Sequence, residues 1–448
     1  MESLFNHLDA NQGRYLQRLQ DLARQPSVAA QNLGMRETAA MVADLLKGLG
    51  AAVQIVPTSG HPVVVGDLPG RCEKTLSFYN HYDVQPPEPL QLWDSPPWEP
   101  TIRDGKLYAR GVADNKGDLV ARISAVEAYL AVHGQLPCRV KFIVEGEEEI
   151  GSPHLQEFVD GHAELIRADG CIWEFGAKDL QERPVISFGL KGICYVELSV
   201  QAASSDLHSS WAAVTPNAAW RLTWALASLK GPNERVRIAG FYDAVRAPSA
   251  QDVKALKALG FDEAGYREKF GIDAYLKNLT GTKLLKKLYF EPTCTICGIE
   301  SGYTGEGAKT VSPCLARVKL DFRMVPDQDP RRIVKLLRKH LDEHDFPDVQ
   351  IKLLSGEKSG RTPLDAPLGK LAVETAQQIY GKKPVVHPLS PGSGPMHTLC
   401  QQLGIPSVST GCSYSGSQAH APNENIRLAD FHQGIKHMAL LLDRFAAS

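Results

Sequence analysis

Chemistry could begin early in the chain, at Leu76-Ser77-Phe78-Tyr79-Asn80-His81-Tyr82-Asp83-Val84-Gln85-Pro86. A short apolar run leads straight into a histidine and an aspartate. Residues two apart in extended backbone face the same way, so His81 and Asp83 share a side. A carboxylate beside an imidazole can hold one tautomer and raise its basicity as a metal ligand. Standing alone, the pair also fits a surface turn, so its context decides.

Two further apolar runs end in acids. Cys138–Val144 leads into Glu145-Gly146-Glu147-Glu148-Glu149-Ile150-Gly151-Ser152, and Gly170–Trp173 leads into Glu174. Four carboxylates in five residues repel one another unless a cation sits among them, a solvated turn being the plain alternative. Three strands thus each deliver histidine or acid at their carboxyl ends, where open α/β sheets gather ligands. That repetition points to a metal site on one sheet edge. Asp114, in Leu107-Tyr108-Ala109-Arg110-Gly111-Val112-Ala113-Asp114-Asn115-Lys116-Gly117, sits where a helix opens, and fits either an N-cap or a ligand. His420, in the polar loop 411–424, is a candidate ligand returning from the far end of the chain.

The elements that must position these groups follow from periodicity. Helices are expected over residues 2–24 and Arg36–Leu49, the second ending at Gly50, a natural C-cap. Strands are expected at Ala52–Val56 and Pro62–Asp67, and the proline-rich stretch 86–100 reads as a rigid loop. The helix after Asp114 should run to about Val132. From Ile193 the pattern changes to an alternating antiparallel strand ending at Gln201. A helix at Pro216–Leu229 follows, then strands at Thr293–Ile299, Leu315–Met324 and Val349–Leu354 with a helix at Pro330–Asp342. Residues 231–290 are rich in Lys and Glu and carry no legible pattern. The last part alternates again: helix Leu368–Tyr380, strand Val385–His387, a Gly-Ser-Gly loop at 392–394, helix Pro395–Leu403, strand Ser407–Thr410 and helix Leu428–Phe445. The fold class is α/β, a central sheet flanked by helices and interrupted by an inserted α+β unit. The expected division is 1–190 and 388–448 for the sheet domain and 191–387 for the insert.

Composition bounds the function. The chain has 448 residues, 43% apolar and 22% charged, with a formal net charge of -2. It is long enough for two or three domains. Its charge makes no electrostatic case for nucleic acid or an anionic membrane. No run approaches the ~18 apolar residues of a membrane span. Nine cysteines, mostly single, and no secretory leader fit a reducing cytoplasm. Cys294 and Cys297 lack a second pair at zinc-ribbon spacing and would face opposite sides of a strand. His61, His387 and His397 have no matching partners, and Trp173, Trp211 and Trp220 read as core or interface packing.

Read in order, the motifs carry a resemblance. H-Y-D-V-x-P at 81–86, A-R-G-V-A-D-N-K-G at 109–117 and E-G-E-E-E-x-G-S at 145–152 are followed by D-L-H-S at 206–209. G-A-K-T-V-x-P at 307–313, F-R-M-V-P at 322–326 and A-H-A-P-N-E at 419–424 complete the series. The chain resembles metallopeptidase family 20, dinuclear zinc hydrolases that include dipeptidases, aminoacylases, carboxypeptidases and deacylases. The likeness runs from about residue 10 to residue 440 and is weakest over 231–290.

That resemblance implies roles. His81 looks like a ligand of one zinc and Asp83 like its supporting carboxylate. Asp114 looks like the carboxylate bridging both metals, with Glu174 completing the first site and Glu149 and His420 the second. Glu148 matches the general base. His208 matches a histidine that crosses a homodimer interface to stabilise the oxyanion. Arg323 matches the arginine that grips a substrate's terminal carboxylate, with Thr310 and Ser393 near that end. An arginine within the apolar strand Leu320–Val325 needs an anion, which an internal ion pair would equally supply. The implied cofactor is two Zn2+ per chain, with Mn2+ or Co2+ as substitutes. The implied fold is a zinc-peptidase-type mixed sheet with an inserted lid and dimerisation domain. The implied substrate is a dipeptide or small peptide with a free carboxylate; an N-acyl amino acid deacylase or a carboxypeptidase is the alternative, and a non-catalytic peptide- or metal-binding homologue the remote one. Glu174 stands where the dipeptidases carry Asp, Gly392-Ser393-Gly394-Pro395 departs from Gly-Gly-Ser-Ile-Pro, and Ser210 replaces a glycine. The first departure leaves the substrate class open.

Overall fold

Val-, Ile- and Phe-rich runs pair into an eight-stranded mixed sheet whose helices cover both faces. The computed structural model describes Met1–Ser448. Across this sheet the strands run Ala52–Val56, Val63–Leu68, Arg139–Glu145, Thr75–His81, Gly170–Trp173, Ser407–Ser409, Val185–Ser187 and Val385–His387. Thr75–His81 is buried along its whole length and pairs in parallel with both Arg139–Glu145 and Gly170–Trp173. Ser407–Ser409 continues the parallel set beside Gly170–Trp173. The carboxyl ends of these four strands therefore share one edge, where β-strands of an open sheet leave room for ligands. The first strands, Ala52–Val56 and Val63–Leu68, join antiparallel. A mixed sheet was expected, and this is one.

The helix Lys116–His133 is buried nearly all round, because it lies between the sheet and the terminal helix Leu428–Ala447. A helix that is apolar on every side belongs in such a place. The expected N-terminal helix is two helices, Glu2–Ala10 and Gln12–Arg24, meeting at Asn11. The amphipathic helix Leu155–Ile166, absent from the sequence reading, covers the opposite face through Leu155, Phe158 and Val159.

A second, antiparallel sheet runs Thr295–Ser301, Leu315–Met324, Gly189–Gln201 and Gln350–Glu357. In Gly189–Gln201 the residues Cys194, Val196, Leu198 and Val200 face inward and alternate with half-exposed neighbours. The helices Ala218–Leu229 and Pro330–Glu343 close that inner face. The amino end of Gly189–Gln201 also pairs with Gly360–Arg361 and, in parallel, with Ser390–Ser393, so one long strand ties both parts of the chain together. The Gly-Ser-Gly stretch is thus partly a strand and not wholly a loop.

The chain rejoins the first sheet earlier than residue 388. Leu368, Ala372 and Ala376 of the helix Pro367–Tyr380 pack into its core, and Val385–His387 is its edge strand. Residues 231–290 hold three helices, Ala250–Ala258, Glu263–Phe270 and Gly281–Phe290. The first begins with a capping box between Ser249 and Asp252, and its Leu256 packs with Leu285, Tyr289 and Val385. This segment therefore leans on the edge of the first sheet.

Candidate active site

The sheet edge gathers the histidines and acids. His81 is the last residue of its strand and fully buried. Its Nδ1 lies 2.9 Å from the Asp83 carbonyl oxygen and 3.3 Å from Asp83 Oδ1. Both neighbours are acceptors, so Nδ1 donates to Asp83 and Nε2 is the nitrogen that faces the cluster. Nε2 lies 3.1 Å from Asp114 Oδ1 and 3.3 Å from Glu174 Oε2. Asp83 also accepts the Glu149 backbone N–H at Oδ2, 3.0 Å away, so it fixes both His81 and the acidic turn.

The four acids of the turn do not share one fate. Glu145 accepts from Ser152 Oγ at 2.8 Å and from the Tyr79 hydroxyl. Glu147 lies 2.8 Å from His154 Nδ1. Gly146 between them is required, because a β-carbon there would fall 2.3 Å from the Tyr82 ring. Glu148 and Glu149 are left to face His81. Glu149 Oε2 accepts from Gln85 Nε2 at 2.9 Å and lies 3.2 Å from His420 Nε2. Asp114 completes the cluster: Oδ2 lies 3.0 Å from His420 Nε2, on the side away from His81. His420 itself holds φ +64°, in a loop closed by the Ala421 N–H on the Gln418 carbonyl, 3.0 Å. An observed left-handed non-glycine residue is a mark of a functional constraint.

Six side chains thus meet, drawn from residues 81 to 420. Ligand atoms of His81, Glu148 and Glu174 lie within 4.8 Å of one another, and so do those of His81, Asp114 and Glu149. Electrostatics sharpen the point. Burial pushes Glu148 and Glu174 well above the usual carboxylate range, and their acidic neighbours push them further. Glu149 moves up for the same reasons, burial and then Asp114. Burial alone would lower His81, but Glu174, Asp114 and Asp83 raise it well above its usual value. His420 is pushed up to about 10 by Asp114 and Glu149. Three of the acids are thus driven toward their protonated forms, whereas burial would raise Asp114 but His420 and His81 hold it low; a cation relieves such crowding.

Glu149 Oε1 and Glu174 Oε2 are buried oxygens with no hydrogen-bond donor. Histidine nitrogen and carboxylate oxygen suit zinc and comparable ions, and His81 Nε2 faces the cluster, where a cation would take the place of its proton. The residues fit the group.

Two buried charges hold the cluster and were not given roles from the sequence. Arg122 donates to Asn80 Oδ1 at 2.8 Å, to the Trp173 carbonyl at 2.7 Å, to the Thr410 carbonyl at 3.3 Å and to the Tyr79 carbonyl. It ties together the carboxyl ends of three strands. A lone cation inside an otherwise apolar helical run was its signal. Glu424 accepts from the backbone N–H groups of Gly111, Ala113 and Asp114 at 2.8–3.0 Å, and from Arg110 Nη1 at 2.7 Å. It shapes the turn that presents Asp114, which is therefore not an N-cap; Asn115 stands there.

Of the remaining sequence candidates, Ser393 lines the cavity that contains Glu148, and Arg323 reaches it through Ser393. Arg323 donates through Nε to Asp321 Oδ2 and through Nη1 to Ser393 Oγ, each at 2.9 Å. Asp321 supplies the internal anion, so the strand position alone does not demand a substrate carboxylate. His208 and Thr310 adjoin each other, with Nε2 3.4 Å from the hydroxyl, where the short strand Leu207–His208 pairs with Val311–Ser312. His208 is exposed, its Nδ1 held by Ser210 at 2.8 Å, and neither residue lines the cavity that contains Glu148. Cys294 is buried and Cys297 exposed, opposite sides as expected.

A mixed sheet carrying two histidines and four acids at its carboxyl edge defines a candidate metal site of hydrolase type. The sequence profile of the peptidase family M20/M25/M40 matches residues 77–444, and the chain belongs to that family. Among relatives, it is 30% identical to the Beta-Ala-His dipeptidase of Homo sapiens over 77% of this chain and 71% of that one. It is 27% identical to the Cys-Gly metallodipeptidase dug1 of Schizosaccharomyces pombe, over 97% and 96% of the two chains. Among solved structures, an M20 family metallo-carboxypeptidase from Sulfolobus solfataricus superposes with a TM-score of 0.93. That pair is 37% identical and covers 97% of this chain and 99% of that one.

Proposed function

We propose that this metal-dependent hydrolase cleaves the amide bond of dipeptides or small peptides that end in a free carboxylate. The observation that carries the reading is Asp114, with one oxygen beside His81 and the other beside His420. His81, Asp114 and Glu174 would hold one divalent ion and Asp114, Glu149 and His420 a second, with zinc as the first choice. Ions held there would supply Lewis-acid polarisation of the carbonyl and acidify water. Glu148, in the cavity and not needed as a ligand, takes the proton of the attacking water and returns it to the leaving amine. Arg323, with Ser393 beside it, receives the terminal carboxylate through its planar guanidinium.

His208 and Thr310 do not line the cavity that contains Glu148 in their own chain, in keeping with a homodimer in which His208 of the partner subunit reaches the site and donates to the developing oxyanion. The outer edge strand Thr295–Ser301 is exposed from Thr295 to Glu300, including Ile296 and Ile299. Trp220 and Trp224 stand 59% and 54% exposed on the helix Ala218–Leu229. Exposed edges and apolar patches of this kind seek a partner. Cytoplasmic residence is supported by nine free thiols. No helix is long and apolar enough to cross a membrane.

A carboxypeptidase is the second reading, favoured by Glu174 and by the high similarity to the Sulfolobus enzyme. Turnover of free dipeptides, N-blocked dipeptides and N-acetyl or N-succinyl amino acids separates the readings. Cleavage of free dipeptides supports the first; cleavage confined to N-blocked substrates supports the second. No hydrolysis by the metal-loaded protein would overturn both.

A further inference from the structure

The cavity that contains Asp114, Glu148, Glu174 and His420 does not end at the acids. It runs on into an apolar chamber, about 760 Å³ in all, within the range of small-molecule sites. Phe175, Leu190, Tyr266, Phe270, Leu288 and Tyr289 form much of its wall. Four of these come from residues 231–290, the stretch with no legible sequence pattern.

The wall is built and braced. Arg183 Nη2 donates to the Leu259 carbonyl at 2.7 Å, tying the loop ahead of the helix Glu263–Phe270 to the first sheet's edge. Lys269 Nζ donates to the Ser415 carbonyl at 2.8 Å, tying the other end to the loop that carries His420. Phe175 follows Glu174 directly and holds φ +58°. A bulky aromatic in that region is a strained outlier, and such strain collects at functional sites. The next residue explains how it is held: a β-carbon on Gly176 would fall 2.0 Å from the Gly411 nitrogen. Phe175 and Phe270 remain 45% and 58% exposed, apolar surface left uncovered beside the reacting groups.

The chamber offers little to a charged side chain. Lys178 is paired with Asp430 at 2.5 Å, and Arg183 with Asp179 at 2.6 Å. Asp262 accepts the Gly265 N–H at 2.9 Å. Lys269 spends its ammonium on the Ser415 carbonyl, so most of the wall that remains is apolar.

We propose that this chamber takes a bulky apolar side chain of the peptide, leucine- or phenylalanine-like, and so sets the preference among substrates. The inference rests on the peptidase reading above and names the class of peptide it acts on. Covering the side chain against Phe175 and Phe270 removes apolar area of both partners from water.

The test uses the full-length, metal-loaded enzyme and the series Gly-Gly, Leu-Gly, Phe-Gly, Gly-Leu, Gly-Phe, Glu-Gly and Lys-Gly. The expected kcat/KM is ~10-fold or more higher for Leu or Phe than for Gly at one of the two positions, with Glu and Lys no better than Gly. In Phe270→Ser the same ratio should fall several-fold; being a ratio, it is insensitive to loss of overall activity. Calorimetric titration of the metal-free protein with the same peptides gives a readout independent of turnover, expected in the same order. No preference for Leu or Phe over Gly at either position, or a preference for Glu or Lys, would overturn the proposal. Should no peptide be cleaved, the peptidase reading falls, and the titration decides the chamber: tighter binding of the Phe peptides upholds it, equal binding overturns it.

Discussion

Asp114 and His420, 306 residues apart in sequence, meet at 3.0 Å between Oδ2 and Nε2. The other Asp114 oxygen faces His81 at 3.1 Å. A carboxylate with a histidine at each oxygen is shaped to serve two ions. Asp114→Asn keeps the volume but removes the charge that both ions would share. Bound metal should drop from two equivalents per chain to one or none, read by inductively coupled plasma mass spectrometry. Two retained equivalents would remove Asp114 from the bridging role.

Glu148→Gln separates proton transfer from metal binding. We expect two equivalents of metal retained and kcat lowered by ~10²–10⁴-fold, the span for loss of a positioned acid–base group. Loss of metal together with turnover would make Glu148 a ligand in place of a base.

Glu424 touches the site only through the backbone of Gly111, Ala113 and Asp114. Glu424→Gln keeps one acceptor oxygen and replaces the other with a donor facing N–H groups. Groups that orient ligands typically change metal affinity by ~10–100-fold when altered, and a weakening of that size is expected in chelator competition. Unchanged affinity would confine Glu424 to a folding role.

His437 is completely buried, with Nε2 3.0 Å from the Thr375 hydroxyl, and burial pushes it down to about 4 from its usual 6.5. Its folded form resists protonation while the unfolded chain accepts a proton. Its contribution to stability is therefore intact above pH 6.5 and lost as pH falls towards 4. The loss from this group is ~3 kcal/mol, at 1.36 kcal/mol per pH unit over a displacement from 6.5 to about 4. His437→Leu should flatten that part of the stability–pH curve, measured by chemical denaturation between pH 7 and pH 4. An unaltered slope would contradict the assignment.

Trp220 and Trp224 stack at 5.8 Å on an exposed helix face. Trp220→Glu with Trp224→Glu should convert a homodimer into monomers, visible by light scattering. If His208 acts across the interface, the monomers should retain metal and lose turnover. A monomeric parent protein would remove His208 from the mechanism.

The catalytic edge was legible because its strands are short, apolar and each end in a ligand-type residue. His81, Glu149 and Glu174 announce themselves in that way, and the structure brings them to one place with Asp114 and His420. The three helices between 250 and 290 were not legible. The helix Glu263–Phe270 buries none of its residues and Ala250–Ala258 only Asp252 and Leu256, so neither carries an apolar stripe; Gly281–Phe290 buries Leu284, Leu285, Tyr289 and Phe290 but within a lysine-rich run. The return to the first sheet before residue 388 was hidden for another reason. The helix Pro367–Tyr380 has one apolar stripe, and nothing in a stripe says which of two sheets it will cover. Arg323 shows the limit of charge arguments, since its anion Asp321 lay two residues away on the same strand.

The most direct test is anomalous scattering at the zinc absorption edge from crystals of the zinc-loaded protein. Two peaks ~3.5–4 Å apart, one on each side of the Asp114 carboxylate, are expected. A single peak, or peaks away from His81 and His420, would contradict the two-ion site.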